Sequence, residues 1–164
     1  MRSELEQVYR THRRSLFALA LSIAGSSELA EDAVHDAFVR LMKSSAVPTG
    51  RLDSYVFAAV RNSALDIGRR LQRSQSTTSL FGEPEIAADG EPACSLERAE
   101  ENNQLRQAID SLEPASREIV ILRTFAELPM SEISQITGTP LKTVETRYRR
   151  ALFVLEERLR GHVG

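Results

Sequence analysis

Apolar residues recur at helical spacing along most of the chain. Between Glu4 and Ala24, Leu5, Val8, Tyr9, His12, Leu16, Leu19, Ala20 and Ile23 fall in phase, and Gly25 stops the run. Ser26 or Ser27 is placed to cap a second helix, which carries Leu29, Ala33, Val34, Ala37, Phe38 and Leu41 on one broad face. The stretch from Lys43 to Gly50 is a loop by composition. Asp53 or Ser54 then opens a third helix through Tyr55, Phe57, Val60, Ala64, Leu65 and Ile67, which closes in the basic cluster Arg69, Arg70 and Arg73. Ser74 to Ser95 holds a Ser/Thr run, Gly82, Pro84, Gly90 and Pro92 without a sustained period, and reads as a linker. Helical phase resumes in Leu96–Leu112, with Leu105, Ile109 and Leu112 inward, and Pro114 suits the first turn of the next helix, with Ile119, Leu122 and Phe125 inward. The expected fold is all-α. Two small helical domains, residues 1–73 and 96–164, are joined by a flexible acidic linker, 74–95.

The densest local signal lies between Leu128 and Leu159. Ile133 and Ile136 give a short helix its buried face, and Ser134 is small enough for a close helix crossing. Gly138 supplies a left-handed turn residue, Thr139 can cap the following helix and Pro140 suits its first position. That helix has an inward stripe of Leu141, Val144, Tyr148, Ala151, Leu152, Leu155 and Leu159. Lys142, Glu145, Thr146, Arg149 and Arg150 form the opposite face. This is the layout of a helix-turn-helix, whose second helix enters the DNA major groove and meets phosphates and base edges.

The charge distribution sharpens this reading. The net charge is only −2, yet it is divided into islands. Residues 61–73 hold four Arg against Asp66, residues 142–160 hold six basic residues against three Glu, and the intervening 74–103 hold seven acidic residues against Arg98. Two basic islands can each bind phosphate in a chain that is nearly neutral overall. With hydrophobic residues at 41% and aromatic residues at 5%, each core must be aliphatic and small. The lone Cys94 cannot form an internal disulfide. No apolar run reaches membrane-spanning length and the first residues are unlike a secretory signal, so a cytoplasmic location is expected.

Two blocks resemble the sigma-70 family of bacterial RNA polymerase sigma factors, extracytoplasmic-function branch. Ala30-Glu31-Asp32-Ala33-Val34-His35-Asp36-Ala37-Phe38-Val39-Arg40-Leu41, with Leu52 to Arg70, is similar to sigma region 2. Leu112 to Leu159 is similar to region 4, with Thr143-Val144-Glu145-Thr146-Arg147-Tyr148-Arg149-Arg150-Ala151 resembling its recognition helix. The resemblance implies a factor that brings core RNA polymerase to promoter DNA. It implies a polymerase-docking surface at Asp32, His35, Asp36, Val39 and Arg40. Tyr55, Arg61, Asn62, Asp66, Arg69 and Arg70 would lie at the minus-ten element, with the Ser44-to-Ser54 loop holding a base flipped from the non-template strand. Lys142, Thr143, Glu145, Thr146, Arg147, Arg149 and Arg150 would lie at the minus-thirty-five element. An anti-sigma partner, often membrane-attached, is also implied. Tyr55 stands where the family often has Trp, Pro129 where it has a Ser cap, and Glu145 where a basic residue is common.

No set of residues supports catalysis, a metal, a cofactor or a small-molecule substrate. Asp32, Asp36 and Glu31 sit on one helix without a nucleophile, a Gly-rich loop or a metal-spaced partner, and they read as a docking face. His12 reads as a partly buried helix residue. Two other functions are open: a dimeric helix-turn-helix regulator, which would lack the first-half likeness, and a decoy that sequesters an anti-sigma factor, which would lose the basic faces. The long linker leads to the expectation that both functional faces stand exposed in the absence of a partner.

Overall fold

The computed structural model describes residues 2–46, 48–75 and 96–161. These form α1 (Arg2–Ala24), α2 (Ser27–Lys43), α3 (Leu52–Gln75), α4 (Leu96–Asp110), α5 (Pro114–Val120) with a π-helical continuation at Ile121–Phe125, α6 (Met130–Thr137) and α7 (Leu141–Gly161). No strand occurs among the described residues, and the all-α expectation holds. Most of the expected linker, with Cys94, lies outside the described residues, as does His162.

The first three helices pack pairwise around the apolar faces read from the sequence. Leu16, Leu19, Ala20, Ala33, Val56, Phe57, Val60 and Ala64 are sealed from solvent. Gly25 takes φ 88° and its N–H bonds to Leu21 O at 3.0 Å, ending α1. Ser26 accepts from Leu29 N and caps α2. The third helix begins earlier than expected. Tyr55 N donates to Arg51 O, so the chain is already helical at Leu52 and the preceding loop is shortened to Ser44–Arg51.

The second half is built around α5 and its π turn. Ile119, Val120, Ile121 and Leu122 are four consecutive buried residues. At 3.6 residues per turn they occupy most of the helix circumference, about 300°, so no single apolar neighbour can cover them. Two clusters do so. Val120 joins Ala108, Ile109, Leu112, Ala151 and Leu155 in the core of the second half. Ile119, Ile121 and Leu122 instead belong to a cluster that runs from Leu5, Leu16, Leu19 and Phe57 of the first half to Leu128, Ile133 and Val144 of the second. The halves are therefore directly packed, α1 against α5 and the π turn, α3 against α6. The packing leaves the outward charged residues of α2 and α7 exposed and covers a part of α3 against α6.

Three inward assignments also change. Phe125 is 43% exposed, because the π turn (Ala126 N to Ile121 O, 3.1 Å) adds a residue and the next inward position after Leu122 falls on Ala126. Leu141 and Leu152 are 43% and 42% exposed. The inward seam of α7 is narrower than its apolar content and runs through Val144, Tyr148, Ala151 and Leu155.

Polar contacts close the junction between the halves. Arg117 donates Nη2–H to Asp110 O at 2.6 Å and Leu112 O at 3.0 Å, and Nε–H to Ile109 O at 3.3 Å, which satisfies the carbonyls around the end of α4. Its Nη1 reaches Ser22 O in the last turn of α1 at 3.4 Å. Ser15 Oγ donates to Phe125 O at 3.0 Å. The shared cluster generates a prediction. Leu122→Ala costs about 2–5 kcal/mol and lowers the unfolding midpoint in both halves together, whereas Leu155→Ala acts chiefly on the second half. Hydrogen exchange resolved along the chain distinguishes the two patterns.

Candidate nucleic-acid and polymerase interface

Gly138 ends α6 in the left-handed region, φ 66°, and both its own N–H and that of Thr139 point back to Ser134 O. Ser134 Oγ in turn donates to Thr139 O at 2.6 Å, so the small residue read as a packing requirement also ties down the turn. Pro140 O accepts from Val144 N at 3.0 Å, and α7 opens at Leu141, one residue later than the sequence suggested. Pro129 precedes α6 without a side-chain cap. The turn thereby fixes the face of α7 that points outward.

That face is basic and open. Lys142, Glu145, Thr146, Arg149 and Arg150 are exposed, and neither Arg149 nor Arg150 pairs with any described residue. Thr146 Oγ1 donates to Lys142 O at 2.8 Å, which leaves its oxygen able to accept. Thr143 and Arg147 are half-buried, on the flank of the face rather than its centre. Unpaired guanidinium groups on a rigid helix can bind phosphates or guanine edges without first breaking an ion pair.

On the first half, Asp32, His35 and Arg40 are exposed on α2, and Asp36 and Val39 are half-buried beside them. Asp32, His35 and Asp36 share a cleft of about 390 Å³ with Arg70 and Leu71 of α3. Asp66 lies between two cations, Arg40 Nη1 at 3.9 Å and Arg69 Nη1 at 3.7 Å. These contacts are exposed and contribute little to stability. Their effect is to bring Arg40 of α2 to Asp66 and Arg69 of α3. Tyr55, Asn62, Arg69 and Arg70 are exposed along α3.

Arg61 is the exception among these candidates. Its Nε and Nη2 bond to Glu118 Oε1 and Oε2 at 3.1 and 3.4 Å, and Nη1 meets Ile136 O at 3.5 Å. Both partners are mostly covered, 18% and 12% exposed. In this arrangement the guanidinium is committed to the second half. Sequence reasoning passed over Glu118 and Arg117. Their only signal was two charges immediately before an apolar run of four, and that run is the segment buried from two sides.

The comparisons with known proteins agree with this geometry. The family profile Sigma-70 region 2 matches residues 8–74, and Sigma-70, region 4 matches residues 102–152. The chain belongs to the sigma-70 family. It is 33% identical over 111 residues to the ECF RNA polymerase sigma factor RpoE of Cereibacter sphaeroides, covering 68% of this chain and 58% of that protein. With the ECF sigma factor SigE of Mycolicibacterium smegmatis the identity is 26%, covering 96% of this chain and 62% of that protein. With the sigma factor SigV of Bacillus subtilis it is 27%, covering 90% and 86%. The chain thus spans about three-fifths of the length of the first two. Among solved structures, the sigma factor RpoE of Bartonella quintana, in complex with the anti-sigma factor NepR, shares the fold with a TM-score of 0.75 at 23% identity, over 96% of this chain and 97% of that one.

Two predictions come from this surface. Glu118→Ala strands the Arg61 charge and costs about 2 kcal/mol, less than the about 3–5 kcal/mol of a wholly buried pair because both side chains keep some water. Replacing both partners with Leu is milder than the single change in urea unfolding, because no charge is left without its partner. Arg149→Ala or Arg150→Ala weakens binding to an upstream promoter element. If the lost contact is to a base, the loss is about 1–3 kcal/mol and one position relaxes; if to a phosphate, affinity falls for all sequences and its salt dependence becomes shallower. Footprinting across a salt series separates these outcomes, and unchanged affinity in both variants would remove α7 as the recognition helix.

Proposed function

We propose that this chain is an alternative sigma factor, which binds core RNA polymerase and directs it to a specific class of promoters. The observation that carries the reading is the unpaired basic face of α7, held outward by the Gly138 turn, in the same chain as the region 2 sequence. Residues 1–73 bind core enzyme and the minus-ten element, and residues 96–164 bind the minus-thirty-five element. Asp32, His35, Asp36, Val39 and Arg40 dock on polymerase, with Phe38 and Leu41 anchoring α2 beneath them. Tyr55, Asn62, Asp66, Arg69 and Arg70 serve the minus-ten element, with the α2–α3 loop holding one extruded base. The factor is not an enzyme: it supplies specificity, and polymerase supplies the chemistry.

Arg61 joins the minus-ten group only when its contact with Glu118 is broken, so the two halves part on productive binding. An anti-sigma factor, membrane-attached or free, would favour the packed arrangement over the open one. The chain's site of action in this reading is the cytoplasm, together with core RNA polymerase and promoter DNA.

Adding the purified chain to core polymerase with genomic DNA and sequencing the transcript starts tests the function. A set of new starts sharing two spaced elements is expected, and no starts beyond those of core enzyme would refute it. For the docking surface, Asp36→Lys is expected to weaken capture of core enzyme about tenfold, equivalent to roughly 1.4 kcal/mol, with thermal stability retained. Wild-type capture with both Asp32 and Asp36 reversed would exclude this face.

A further inference from the structure

The loop between α2 and α3 ends in a side-chain clamp drawn from two helices. Arg51 donates Nε–H to Asp53 Oδ1 at 3.2 Å and Nη2–H to Oδ2 at 2.8 Å, a fork on a carboxylate that fixes the guanidinium plane. The same Oδ1 accepts from Ser54 N at 3.0 Å. Asp53 lies in the first turn of α3, where the helix dipole favours a negative charge. From α1, His12 Nε2 comes within 4.0 Å of Oδ2, and its ring stands edge-on to the buried Phe57 with centroids 5.4 Å apart. Asp53 is therefore held from three directions and only 16% exposed, while Arg51 is 50% exposed. Just before it, Gly50 turns the chain with φ 93°. Arg51 Nη1 has no partner among the described residues.

A short-range ion pair at a surface adds little stability, so holding Arg51 this firmly is not explained by stability. A carboxylate beside a DNA-binding loop also repels phosphate. Its presence is favourable to binding only if what it organises outweighs that repulsion. We propose that Asp53 is a positioning residue, which aims Arg51, through its unbound Nη1, at a backbone phosphate of the unpaired strand next to the extruded base. The inference rests on the reading of the α2–α3 loop as the holder of that base. His12 backs Asp53 from behind, and Phe57 backs His12.

The sign of one substitution decides the matter. If Asp53 acts by charge alone, Asp53→Asn removes a repulsion and tightens DNA binding. If it positions Arg51, the same change weakens binding. The experiment uses holoenzyme assembled from core polymerase and the full chain. The probe is a fluorescent single-stranded oligonucleotide carrying the minus-ten sequence found by transcript mapping, titrated by anisotropy. Arg51→Ala is expected to weaken binding about threefold to tenfold, the size of one ordinary hydrogen bond in water. Asp53→Asn should weaken it similarly, Asp53→Glu less, and Asp53→Asn in the Arg51→Ala background should cause no further loss. Arg51→Lys keeps the charge but cannot be gripped bidentately, and it too should weaken binding, which keeps the test open should Asp53→Asn fail to fold.

Binding by Asp53→Asn that equals or exceeds the parent overturns the proposal, as does an equal loss with Arg51 already absent. Parent-like binding by Arg51→Lys, where that variant carries the test, overturns it as well. Exchange of residues 46–51 is measured in parallel. If the exchange alters base preference while Asp53→Asn does not weaken binding, only the positioning role fails. If neither has an effect, the reading of the loop fails with it.

Discussion

A helix that is apolar around most of its circumference must be covered on more than one side, and Pro114–Phe125 meets that condition with Ile119, Val120, Ile121 and Leu122 in succession. Water cannot cover these side chains without losing roughly 1.5–3 kcal/mol for each. One cluster takes Val120, and the other three lie in a cluster that joins Leu128, Ile133 and Val144 of the second half to residues of the first half. The two halves therefore share one core. The π turn is part of the same solution, since it moves the next inward position onto the small Ala126 and turns Phe125 outward.

Charge then fixes how the halves meet. Arg117 satisfies carbonyls at the ends of α4 and α1, and Arg61 meets Glu118 beside it. A buried ion pair gives little net stability because both partners lose hydration, but a mismatched one is costly, so the pair selects one register between the halves. It also links packing to function. Arg61 belongs to the basic island of α3, and while it holds Glu118 that island presents one cation fewer to solvent. The basic face of α7 is not occupied in this way, since neither Arg149 nor Arg150 pairs with a described residue.

The same division appears within the first half. Its core is closed and aliphatic, with Phe38 and Phe57 held by edge-on contacts from Tyr9 and His12. The groups suited to partners lie around it on α2, α3 and the loop between them. A rigid three-helix unit of this kind places its exposed side chains accurately even where the connecting segment is short of regular structure.

Much of this was legible in the sequence because it depends on local order. Helix phase, the Gly25 and Gly138 stops, the Ser26 cap and the outward basic face of α7 are each set by residues within a turn or two of one another. The likeness to two sigma regions came from contiguous motifs of the same kind. What the sequence left undecided depends on contacts between distant residues. The sequence places 119–122 in a helix with Ile119 and Leu122 inward, and only the arrival of α1 on one side and of α4 and α7 on another makes all four residues core. Leu141 and Leu152 look as buried as Val144 until the width of the available partner surface is known. Arg61 looks like any other arginine of its island, and its commitment to Glu118, 57 residues away, is a property of the tertiary structure alone. Local chemistry fixes the elements; which of their surfaces are covered is decided by the distant elements that pack against them, as α1 packs against α5 and the π turn.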